Sequence, residues 1–230
     1  MSFGFAPFDS SADTEILSAV GPACFLIRQR LKKRVGGYEP SRLLFLASNP
    51  SGVTPLGLDR EVRGITNGLR PLERRGRLSF TQHWALRSDE LASVLQEYLP
   101  HFVHISCHGA AGDLMLEDSM GRHVRVPEKV VTRIFALFAG TIRCVIFTSG
   151  ITPSAAQELS EEIDCVISFE GSSIADDSII RFSSAFYETL GNGHDVRRAF
   201  DIACLSLATT GESGEPKLYA KAGVAEALTI

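Results

Sequence analysis

Three stretches of this chain are apolar almost without a break, Arg42–Ser48, Phe102–Cys107 and Arg143–Phe147, and each stops abruptly, at Asn49-Pro50, at His108-Gly109 and at Thr148-Ser149-Gly150. A run of four to seven apolar residues bounded by turn formers is the profile of a strand covered on both faces. Several such strands in one chain require helices on both sides of a single sheet. That requirement also places the chemistry, because in such folds ligands gather where the strands end, near the point at which strand order reverses.

Helical periodicity fills the intervals. Residues 13–35 predict a helix through Ile16, Leu17, Val20, Phe25, Leu26 and Leu31, interrupted at Gly21-Pro22 and stopped by Gly36-Gly37. Residues 1–40 are read as an N-terminal helical arm, and 41–230 as the main domain. Leu58 to Leu72 repeats apolar residues every three or four positions, although Gly64, Gly68 and Pro71 weaken the pattern. Leu78 to Leu86 predicts a second strand, and Ser88-Asp89-Glu90 opens a helix that presents Leu91, Val94, Leu95 and Tyr98 on one face.

Beyond His108, the short runs Leu114–Glu117 and His123–Val126 flank the turn Asp118–Gly121 and predict a β-hairpin projecting from the sheet. A helix from Pro127 to Gly140 leads to the strand at Arg143, and a helix over Ser154–Ile163 leads to a strand over Cys165–Phe169. Helices over Asp176–Leu190 and Val196–Leu207 complete the pattern. The expected fold is a three-layer α/β sandwich of flavodoxin-like type, its central sheet mostly parallel, with helices on both faces and a small hairpin after the third strand.

Composition excludes some functions. A net charge of −4 gives no electrostatic reason to expect nucleic acid or an anionic membrane as the main partner. No apolar run approaches the ~20 residues of a spanning helix, and the first residues lack a basic region followed by an apolar core, so a cytoplasmic location is expected. The five cysteines, Cys24, Cys107, Cys144, Cys165 and Cys204, are scattered singly, as reduced and buried thiols would be. No glycine-rich phosphate loop follows a strand, and no cofactor is expected. His101, His104, Cys107 and His108 invite a metal, but alternation along a strand sends them to opposite faces.

The spaced motifs Leu44–Pro50 with Leu56–Val62, Pro100–Gly109 with Leu114–Asp118, and Cys165–Ile167 with Ile174–Asp177, Phe182 and Phe186-Tyr187 are similar to those of CHAT domains. These are the caspase-like modules of bacterial proteins that often also carry TPR repeats. The matched stretches run from Leu44 to Ala203 in the family's order. The resemblance implies a caspase-like fold and a cysteine-endopeptidase mechanism, in which a histidine after the third strand takes the proton of a cysteine after the fourth.

His108 matches that histidine, and Thr148, Ser149 and Gly150 stand where the family has Asn-Ala-Cys or Ser-Ala-Cys. The nucleophile position is therefore Gly150, which has no side chain. The backbone amides of Gly109 and Gly150 would line the oxyanion position of an active relative, and Gly150 is equally read as a turn residue needing positive φ. Asp176 matches an acid that contributes to a substrate pocket in related proteases, and it is also a natural residue for opening a helix. Ser149 is either a substitute nucleophile or a turn serine bonded to nearby backbone.

Three functions follow as expectations. The first is a catalytically inactive pseudoprotease that binds or regulates a protein or peptide partner in a bacterial defence or stress-signalling system, its sensor being a separate chain. The second is an active endopeptidase, with cysteine at position 150 in the natural sequence or with Ser149 serving. The third is a flavodoxin-like module for a small ligand. The basic segment Arg70, Arg74, Arg75, Arg77 is a solvated face or a dock for an acidic partner.

Overall fold

The computed structural model describes residues 39–110, 112–170, 174–209 and 215–230. The helix expected over residues 13–35, Cys24 and the N-terminal arm lie outside the described residues. Residues from Glu39 onward form one compact unit.

Six strands form the central sheet: β1 (Ser41–Ala47), β2 (Leu78–His83), β3 (Phe102–Ser106), β7 (Cys144–Phe147), β8 (Cys165–Glu170) and β9 (Glu215–Ala220). Their spatial order is β2-β1-β3-β7-β8-β9, parallel throughout except for β9, which runs antiparallel to β8. Strand order reverses between β1 and β3, since the chain leaves β1 for one edge and then returns to its other side. The strand at Glu215 is an addition to the sequence reading: its alternating, half-exposed pattern carries no continuous apolar run.

Every buried strand feeds both layers. Leu43, Phe45, Phe102, Cys144, Ile146, Cys165 and Ile167 face a cluster built by α1 (Leu58–Arg74), α5 (Asp176–Gly191) and α6 (Val196–Ala208). Leu44, Leu46, Val103, Ile105, Val145, Phe147 and Val166 face the other, built by α2 (Leu91–Tyr98), α3 (Glu128–Ala136) and α4 (Pro153–Ser160). A short α7 (Val224–Ala227) follows β9. The three-layer α/β expectation holds, and alternation along each strand accounts for it.

Three local readings change. The strand expected to reach Leu86 ends at His83, after which Leu86 hydrogen-bonds on both sides, its N–H to Ala47 O at 2.9 Å and its C=O to Glu117 N at 3.1 Å. The expected hairpin is a three-stranded antiparallel sheet, because β4 (His108–Ala110) joins β5 (Asp113–Glu117) and β6 (His123–Pro127). Helix α1 runs on to Arg74 despite its glycines, because those glycines buy helix contact: a Cβ on Gly68 would sit 2.6 Å from Glu188 N and one on Gly191 would sit 1.9 Å from Gly68 O, so bare Cα atoms bring α1 and α5 together.

Candidate active site

The reversal between β1 and β3 puts two segments side by side, the loop 49–57 that follows β1 and the turn 107–109 that follows β3. The loop is closed by one side chain: Asn49 accepts from Leu56 N at 3.1 Å through Oδ1 and donates to Leu56 O at 3.3 Å through Nδ2. It thereby presents the carbonyl of Thr54 to His108, whose Nε2 lies 2.7 Å from that oxygen. A carbonyl can only accept, so Nε2 carries the proton and the neutral ring keeps its lone pair on Nδ1. That is the form of imidazole able to take a proton from a neighbouring group.

Three residues beyond the end of β7, Gly150 has φ of +81°, a left-handed backbone that favours glycine. A Cβ built there would stand 2.8 Å from the carbonyl oxygen of Asp113 and 3.1 Å from Leu114 Cγ on β5. Gly109 presses on the same turn, since its Cβ would meet the Cα and N of Gly150 at 2.3 Å. The ends of β3 and β7 are thus neighbours, packed backbone against backbone. Position 150 directs its substituent into the three-stranded sheet.

Ser149 donates its hydroxyl to the carbonyl of Cys107. Cys107 is buried on the α2–α4 side of the sheet, and burial pushes its thiol up to about 12 despite the Ser149 hydrogen bond. Cys144 is pushed well up by burial and Cys165 to about 12, also chiefly by burial. Cys204 rises to about 11 for the same first reason. None of these four thiols is a poised thiolate.

Asp176 opens α5 and its carboxylate is already engaged, accepting from Gly57 N at 2.8 Å and from Arg60 Nη2 at 3.3 Å. It ties the far end of the 49–57 loop to α5 instead of standing free. The histidines separate: His101 accepts from Arg42 N through Nδ1 at 3.1 Å, while His104 is sealed in the core beside Tyr187.

Two parts of the site were not singled out by sequence reasoning. Glu128, the first residue of α3, receives Thr152 N at 2.6 Å and Thr152 Oγ1 at 2.9 Å, clamping the turn after Gly150 against the hairpin sheet. Beneath the strand ends lies a buried polar cluster around Glu61 of α1. Its carboxylate accepts from Ser106 Oγ and Ser183 Oγ, both at 2.7 Å, and stands 3.0 Å from His104 Nε2, off the line of a hydrogen bond. His104 Nδ1 in turn lies 3.1 Å from the Tyr187 hydroxyl. Ser106 also meets Thr148 Oγ1 at 3.4 Å, so one network underlies the ends of both β3 and β7. A glutamate in an otherwise apolar helix face was the available signal.

The caspase-1 of Spodoptera frugiperda superposes on this chain with a TM-score of 0.54 at 14% identity, covering 80% of this chain and 86% of that one. The fold is similar to that of a caspase. A curated protein of Gillisia limnaea, described as a probable protease, is 25% identical over 167 residues, which is 71% of this chain and 29% of that protein. The chain therefore spans under a third of the length of that relative. No family model matches the chain. His108 follows β3 as the first residue of β4, and Gly150 lies three residues beyond the end of β7, the strand that pairs with β3. No described helix is long and apolar enough to cross a membrane.

Proposed function

We propose that this chain is a CHAT-type, caspase-like pseudoprotease: a cleft that keeps the histidine of a cysteine peptidase and binds a peptide without cutting it. The observation that carries this reading is the backbone at Gly150. Its left-handed conformation and the 2.8 Å approach to Asp113 O leave no room for a side chain, so the turn is built for glycine. Among the described residues the four thiols are buried or raised out of the reactive range, and Ser149 donates its hydroxyl to the Cys107 carbonyl.

His108 then serves recognition. Its Nδ1 is available to accept a hydrogen bond from a bound peptide. The resemblance to CHAT domains supports a partner in a bacterial defence or stress-signalling system. An active peptidase is the second reading, favoured by the description of the Gillisia limnaea relative and by the tautomer set at His108.

One experiment separates them. Immobilised chain is exposed to a mixed peptide library, and both retained and released peptides are sequenced by mass spectrometry, in parallel with His108→Ala. The proposal expects a selected set of intact peptides whose retention falls in the variant. Cleaved products that vanish in His108→Ala, or retention identical in the two proteins, would overturn it.

A further inference from the structure

The outer face of α1 carries an unusual charge pattern. Arg63, Arg70 and Arg74 recur at spacings of seven and four, with Asn67 between them, and all are exposed opposite the buried stripe of Leu58, Val62, Ile65, Leu69 and Leu72. Arg75 continues the stripe into the turn. By contrast, Arg42, Arg60, Arg87, Arg122, Arg125, Arg143 and Arg197 each lie within 4 Å of a carboxylate. Among the described residues, Arg63, Arg70, Arg74 and Arg75 have no such partner. This occurs in a chain with more acidic than basic residues, 27 against 23. On α1 itself the other carboxylates of the exposed side are Asp59 and Glu73, and neither is ion-paired with these arginines.

We infer that this stripe is a docking surface for an acidic, extended segment of another protein. From Arg63 to Arg74 the helix advances about 16 Å at ~1.5 Å per residue, a distance that about five residues of extended chain cover at ~3.3 Å each. Two features favour an acidic protein segment over a nucleic acid. The stripe has no aromatic side chain on which bases would stack, and a polyanion longer than the helix would run onto a surface of net negative charge. At the N-terminal end the stripe is closed by Arg60, which is already paired with Asp176 and Asp177. The inference rests on α1 alone and is independent of what the cleft at His108 binds.

The test uses a fluorescein-labelled peptide of about ten aspartate and glutamate residues, read by anisotropy, with a single-stranded oligonucleotide of equal charge as the competing probe. Saturable peptide binding is expected at about 50 mM salt, weakening strongly by about 300 mM as exposed charges are screened. The variant Arg63→Glu/Arg70→Glu/Arg74→Glu/Arg75→Glu should lose about tenfold or more in affinity, as four exposed pairs of modest strength imply. The control Arg122→Glu/Arg125→Glu/Arg143→Glu should bind as the parent does, and circular dichroism verifies that both variants are folded. No binding at low salt, equal binding by the stripe variant, or tighter binding of the oligonucleotide than of the peptide would each overturn the inference.

Discussion

The Nε2 of His108 lies 2.7 Å from the carbonyl oxygen of Thr54, the chain's only route to fixing this ring from the 49–57 loop among the described contacts. Neutral His108 should therefore be the Nε2–H tautomer. Long-range nitrogen-15 NMR of the neutral imidazole will show a protonated Nε2 and a bare Nδ1. A protonated Nδ1 would mean that the loop does not orient the ring.

Glu61 should be among the most damaging positions to truncate. Glu61→Ala leaves His104, Ser106 and Ser183 facing an apolar hole, and breaking a buried pair from one side costs about 3–5 kcal/mol. Urea unfolding measures it. Glu61→Gln, which keeps the shape and one acceptor oxygen while its amide nitrogen can donate to a serine hydroxyl, should cost less.

The same residue predicts an acid limb. Burial works to raise the Glu61 carboxyl, but the electrostatic pull of His104 beside it and the hydrogen bonds from Ser106 and Ser183 outweigh it, leaving it below its ordinary 4.5. A depressed folded value means stability that is present above 4.5 and is lost as pH falls through the folded value. Unfolding free energy should drop below about pH 4.5 more steeply in the parent than in Glu61→Gln. Parallel curves for the two proteins would show that Glu61 is not ionised in the fold.

Gly150→Ala tests the turn against a control on the same chain. Gly76 also has positive φ, +66°, but a Cβ there meets nothing within 4 Å, so Gly76→Ala pays only backbone strain of about 1–2 kcal/mol. Gly150→Ala adds the contact with Asp113 O and should cost more, while Gly109→Ala, aimed at the backbone of Gly150 itself, should cost most. The order of the three melting temperatures is the readout. A Gly150→Ala variant as stable as Gly76→Ala would show that position 150 has room for a side chain.

Much of this was legible in the sequence, and the remainder was hidden for identifiable reasons. The strands at Leu43, Phe102 and Cys144 are readable because burial on both faces leaves a continuous apolar run. The edge strand at Glu215 is half exposed and has no such signature, and β4 is three residues long, below any periodic signal. Gly64 and Gly68 look like helix weaknesses in one dimension because the partner helix that fills their space, α5, lies more than a hundred residues away. His108 and Gly150 were visible as the residues just beyond two apolar runs. The direction in which position 150 would send a side chain is a property of φ, which sequence does not display, and the hold of Thr54 on His108 runs through a backbone carbonyl, which carries no residue identity.

The most direct measurement is the intact mass of the chain after exposure to panels of peptidyl acyloxymethyl ketones and peptidyl diphenyl phosphonates, which leave a covalent adduct on an activated thiol and on an activated serine hydroxyl respectively. The account predicts an unchanged mass with every peptide. An adduct of one probe, mapped to Ser149 or to a cysteine and abolished in His108→Ala, would contradict it.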